Sequence, residues 1–143
     1  MTSRHVVALA LVLIAALAYL RDPPWLLHVT SGLSTPARDE SGVEFRWTRG
    51  HASFFVPARA SAVVLSLRAL NDGPDERPIT LTITIDDRPV QIVSFQDESW
   101  RDVTLRLPPA GSRRARRIDL ELDRLRAHQR GLQLRPPRVL SSS

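Results

Sequence analysis

Neither cysteine nor lysine occurs in this chain, and the two absences remove several chemistries at once. There is no thiol nucleophile, no thiolate metal site and no Schiff-base amine. There is also no disulfide for the fold to depend on, even in an oxidising compartment. Histidine is scarce: His5, His28, His51 and His128 are far apart, and none has the spacing that sets two ligands on one strand face. They read as surface or turn residues, so no metal and no cofactor is expected. No Gly-x-Ser-x-Gly elbow occurs. Acidic pairs stand at Asp39-Glu40, Asp86-Asp87 and Asp97-Glu98, all in turn-like sequence where aspartate bonds its own backbone. Two carboxylates from different turns make a glycosidase pair or a calcium site only at a defined separation. The chain is therefore expected not to be an enzyme.

What is present is arginine. All 20 basic residues are arginine against 15 acidic ones, and with 11 prolines and abundant alanine this resembles the codon bias of a GC-rich genome. The isoelectric point near 11.3 is compatible with nucleic acid, acidic polysaccharide or anionic lipid, so location has to choose among them. With 43% apolar and 24% charged residues the composition is globular, and the length suits one domain.

Location is written at the start of the chain. After Arg4, residues 6–20 are uncharged and almost wholly apolar, so residues 1–22 read as a membrane anchor or a signal peptide. For cleavage, Ala16, Leu17 and Ala18 give a small-x-small pattern. For retention, Tyr19 and Trp25 are interfacial aromatics, and Pro23 and Pro24 stop a helix just outside a bilayer. Arg4 opposite a neutralised Arg21-Asp22 points the rest of the chain outward, to the periplasmic or cell-surface side. Nucleic acid is then not an expected partner.

Beyond Trp25 the apolar pattern alternates and does not follow a helical period. "ITLTITI", Ile79 to Ile85, puts four aliphatics on one face and three threonines on the other. Val43 to Thr48 and Ala52 to Val56 read as a hairpin about a turn at Arg49-Gly50-His51, with Trp47 in the core. Further strands are expected at 62–70, at 90–95 with a bulge, at 100–107 and 117–123, and at 132–134 or 139–140, with a turn-rich link over 71–78. The fold class is all-β, an antiparallel two-sheet sandwich of seven or eight strands, jelly-roll-like, behind one N-terminal hydrophobic helix. Residues 23–41 form a lead-in, 42–140 the sandwich and 141–143 a tail.

The run from "DPPW" through "FRWTRGHASFFVPA" and Trp100 to "RGLQL" resembles small uncharacterised bacterial membrane-anchored β-sandwich domains, similar to those accompanying membrane-bound glycosyltransferases. Their build is that of carbohydrate-binding modules. The resemblance rests on aromatics and turns, so it implies fold and location more than chemistry.

Two candidate sites follow. Extrapolating the strand after Ser99 backward sets Trp100 on the polar side with Asp102, Thr104 and Arg106. An indole there beside Asp97, Arg101 and Asp102 could stack on a sugar ring; alternatively Trp100 folds over the open end of the sandwich and plugs it. The run Arg113, Arg114, Arg116 and Arg117 is a polyanion patch, or simply a solvated loop. The expected function is a non-catalytic, membrane-tethered extracytoplasmic sandwich, a carbohydrate-binding or accessory module in envelope polysaccharide handling. The alternative is an assembly partner that docks onto a membrane protein, which an exposed Phe55 among apolar neighbours would favour.

Overall fold

The computed structural model describes residues 3–70, 77–109 and 111–141, so most of the expected 71–78 link and the last two residues lie outside the described residues. The chain begins with α1, Ser3–Arg21. Its 19 residues span about 28 Å at roughly 1.5 Å per residue, close to a hydrocarbon core. No residue of α1 is buried. Together with a 3-10 turn at Pro24–His28 it is the one helical segment, among the described residues, long and apolar enough to cross a membrane, with a mean hydropathy of 2.0.

Strands follow: β1 (Thr30–Leu33), β2 (Ala37–Arg38), β3 (Glu44–Pro57), β4 (Ala60–Arg68), β5 (Ile79–Ile85), β6 (Arg88–Phe95), β7 (Arg101–Arg106), β8 (Ala115–Leu122), β9 (Gln133–Leu134) and β10 (Arg138–Ser141). Every pairing is antiparallel. One layer runs β1-β3-β8-β5-β6; the other joins the start of β3 to β9, β4 and β7, with β2 and β10 alongside. The all-β antiparallel sandwich is thus present. Its strands outnumber the expected seven or eight because β1 and β2 are short pieces that carry little alternation of their own, and strands form at both 133–134 and 138–141.

The core lies between the layers. Ile79, Leu81 and Ile83 of β5 are fully buried, as are Val63, Leu65 and Leu67 of β4, Ile118 of β8 and Leu132 before β9. Each such side chain stabilises the fold by about 1.5–3 kcal/mol. The alternation predicted for "ITLTITI" holds at every position.

The expected hairpin at residues 49–51 is absent: 44–57 is one strand. β3 serves both layers, pairing β9 through Arg46 and Trp47 and β8 from His51 to Pro57. Its buried inward residues are Thr48, Ala52, Phe54 and Val56, all of one parity, while Phe45 is buried on the outer side with Trp47. The residues that resembled a turn therefore carry the strand from one sheet to the other. Buried Thr48 fixes the crossing: its amide donates to the Leu132 carbonyl (2.8 Å) and its Oγ1 accepts from the Leu132 amide (2.9 Å). Gly32, at φ +67°, lies so close that a Cβ would sit 1.9 Å from the His51 carbonyl oxygen. Trp47, expected in the core, is instead half-buried on the outer face. There it meets Phe45 edge-on at 5.8 Å, and the Arg130 guanidinium lies 5.0 Å from its ring. In β6 the register shifts at Val90, but this does not turn Ile92 inward; Ile92 remains 70% exposed.

Candidate functional site

The outer face of the second layer carries the chemistry. Strand register places Trp47 of β3 opposite Gln133 of β9, and Gln133 opposite Arg68 of β4. Leu67 pairs with Arg101, so one residue further Arg68 stands opposite Trp100. Trp47, Gln133, Arg68 and Trp100 form one outward row, and Phe45, Arg135, Ser66 and Asp102 follow beside it. Where the chain from β2 to β3 folds over this face, it closes a basin of about 500 Å³ lined by Arg38, Asp39, Glu40, Ser41, Phe45, Arg68, Trp100, Gln133 and Arg135.

Its contacts are charge-assisted. The guanidinium carbon of Arg135 is 4.0 Å and that of Arg68 4.9 Å from the Trp100 ring centroid, within cation–π range. Arg68 Nε donates to Gln133 Oε1 (2.8 Å). Arg135 donates to Asp39 Oδ2 (3.3 Å). Asp39 Oδ1 also accepts from the Ser41 hydroxyl (2.6 Å) and from the Ser41 and Val43 amides (2.9 Å each). The Ser41 hydroxyl, then the Val43 amide, lower the Asp39 pKa to about 2. Next to the basin Asp102 accepts from Ser66 Oγ and from Arg138 (2.7 Å).

The predicted sugar site is thus divided. Trp100 and Asp102 do face outward together, as strand parity required. Trp100 is half-buried against arginines and is not a plug over the core. Arg101 points to the other side, donating to the Ser94 carbonyl (2.7 Å) and lying 5.4 Å from the Phe95 ring. Asp97 closes its own turn by accepting from the Ser99 hydroxyl and amide, which lower its pKa. The sequence reading missed Arg68, Gln133, Arg135 and Asp39. The available signal was that Ser66 and Arg68 interrupt the outward side of an otherwise aliphatic strand.

The arginine run is neither a uniform patch nor a solvated loop. Arg113 and Arg114 are exposed, but Arg116 is only 8% exposed. It points inward at the end of the sandwich, donating to Asp86 (2.9 Å) and to the Pro108 and Pro109 carbonyls (2.5 and 2.8 Å). The end plug is therefore an arginine. Arg117 is held by Asp119 (2.9 Å) and Asp87, which raise its pKa, the Asp119 hydrogen bond most. His51 lies 3.5 Å from Asp119. Among the described residues no three His, Asp or Glu side chains gather as a metal site.

A second cleft, about 460 Å³, opens between the layers beside the 3-10 turn, with Leu27, Phe54, Phe55, Pro136, Pro137 and Val139 among its walls. Phe55 is half-buried there.

No protein-family model matches the chain, and no curated protein matches it. Among solved structures it is similar to a salicylyl-acyltransferase from a tetracycline biosynthetic pathway, with a TM-score of 0.50 and 14% identity over 78% of this chain. The chain spans 36% of that acyltransferase. It is also similar to a family 35 carbohydrate-binding module from an environmental isolate (TM-score 0.49, 15% identity, 77% of this chain and 87% of that one). Another family 35 module, from Clostridium thermocellum, gives a TM-score of 0.47 at 14% identity over 80% of this chain and 92% of its own. At these identities the likeness is one of β-sandwich build.

Proposed function

We propose that this chain is a non-catalytic, membrane-tethered sandwich that binds carbohydrate in the basin around Trp100, as an accessory module in extracytoplasmic polysaccharide handling. The observation that carries this reading is the basin itself: an indole and a dense set of planar polar side chains on a sheet face, opening to solvent. Aromatic surface beside directed hydrogen-bond donors is what a sugar requires, its C–H faces on the ring and its hydroxyls on the polar groups. The unburied, apolar α1 supports tethering, with the 3-10 turn at Pro24–His28 leading into a sandwich whose strands run from Thr30 to Ser141. Arg101 and Asp97 are left out of the proposed site, and Arg68, Gln133, Arg135 and Asp39 are added.

The test is glycan-array binding by the full chain in detergent micelles, followed by calorimetry, with Trp100→Ala compared at equal fold content. Saturable binding that falls at least tenfold in the folded variant is the expected result. A folded wild type that binds no glycan sinks the reading.

A second reading, docking onto a membrane protein, is favoured by β6, the edge strand of its layer, whose Val90 and Ile92 side chains are exposed. An open edge with apolar side chains is a surface on which another chain can pair.

A further inference from the structure

Resting on that reading, we infer that the basin selects an anionic sugar, one whose carboxylate or phosphate accepts from the guanidinium groups of Arg68 and Arg135. The acceptors of the basin are mostly occupied. Both Asp39 oxygens are occupied, Oδ1 by Ser41 and Val43 and Oδ2 by Arg135. Both Asp102 oxygens are occupied as well, by Ser66 and Arg138. Gln133 Oε1 is taken by Arg68 Nε. Glu40, exposed on the rim, is the carboxylate of the lining without a hydrogen bond among the described residues.

Donors, in contrast, remain. The terminal nitrogens of Arg68 have no hydrogen-bond partner among the described residues, and Arg135 Nε is buried without one. A neutral sugar offers hydroxyls that must both give and receive, whereas this surface mostly gives. A planar oxyanion matches a guanidinium fork with two parallel charge-assisted bonds. Trp100 is a positioning residue here: it holds both guanidinium groups over its ring, so less of their rotamer freedom is lost when an anion binds. The anion site is thus on the sheet face and not at Arg113–Arg117, where Arg116 and Arg117 are already committed to aspartates and carbonyls.

The experiment titrates the full chain in neutral-detergent micelles with trigalacturonate, with its fully methyl-esterified neutral form and with glucose 6-phosphate. Arg68→Gln, Arg135→Gln, Arg68→Lys and the control Arg113→Gln are run in parallel, each checked for folding by circular dichroism. At least tenfold preference for an anion over the ester is expected. The two glutamine variants should each lose that preference, Arg68→Lys should lose several-fold through loss of the fork, and Arg113→Gln should leave it unchanged. Preference for the uronate assigns carboxylate, and preference for the phosphate sugar alone assigns phosphate. Equal binding of ester and acid overturns the inference and leaves carbohydrate binding standing. Anion binding lost in Arg113→Gln but kept in Arg68→Gln and Arg135→Gln overturns it too, and a folded chain that binds no glycan overturns both.

Discussion

The guanidinium carbon of Arg135 lies 4.0 Å from the centroid of the Trp100 indole, joining a residue from the end of β9 to one at the start of β7 across the whole width of β4. With Arg68 at 4.9 Å on the same ring, one indole organises two cations on a face exposed to solvent. Each contact is worth about 0.5–1 kcal/mol at such a site. Trp100→Ala is therefore expected to cost about 1–2 kcal/mol in urea denaturation while reducing sugar binding by a larger factor. A double-mutant cycle with Arg135→Gln should return a coupling of about 0.5–1 kcal/mol. A coupling of zero would mean that the stack is not formed in solution.

Arg116 gives the opposite case, a charge whose work is structural. It closes the end of the sandwich with one carboxylate and two carbonyls, and Asp86 also accepts from the Arg117 amide (3.0 Å). Replacing Arg116 by alanine leaves those acceptors without their donor, at an expected cost of about 2–3 kcal/mol. Lysine should recover less than half of it, because a point ammonium cannot reproduce the fork. Arg113→Ala, on the exposed neighbour, should stay within about 0.5 kcal/mol of wild type. Chemical denaturation of the three variants checks all of this.

These two arginines also show what was legible in the chain. Period-two alternation locates β5 over its full length, and β7 and β8 from Asp102 and Arg116 onward, because there one face is wet and the other dry, and it sets Trp100 with Asp102. It fails in β3, where "WTRGHA" has the composition of a turn but is held as strand by partners on both sides. It also fails to recognise Arg116 as an inward residue, since an arginine in alternation with Ile118 and Leu120 looks like a flank. The basin was only half visible: Trp100 could be placed by parity, but Arg68, Gln133 and Arg135 come from strands whose neighbours are fixed by long-range pairing. Nothing local in the sequence sets "RGLQLR" beside β4.

Asp39 provides a pH handle on the basin. Its folded-state pKa, about 2, lies below the unfolded value of about 3.9, so its stabilising bonds are fully present above pH 4 and are lost as pH falls through 2. The Ser41 and Val43 amide resonances should follow that titration with a midpoint near 2; a midpoint near 4 would show that the carboxylate is not capped. Asp39→Asn should release Arg135 from its carboxylate at neutral pH and raise the affinity of the basin for an anion there.

Gly32 packs against β3 where it crosses between layers, whereas Gly42 lies in the turn that leads into β3, and comparing them separates close packing from backbone strain. Gly42, at φ +79°, has no atom within 4 Å of where a Cβ would stand. Gly42→Ala should therefore cost only the left-handed conformational penalty, about 1–2 kcal/mol. Gly32, at φ +67°, carries the same penalty plus a collision with the His51 carbonyl, a backbone atom that cannot rotate away. Gly32→Ala should cost about 2–4 kcal/mol. Because β1 meets β3 at the residues where β3 changes sheets, the excess over Gly42→Ala should also appear as faster hydrogen exchange at Thr48 and Leu132. Equal costs at both glycines would mean that the two strands stand further apart at the crossing than the Gly32–His51 approach requires.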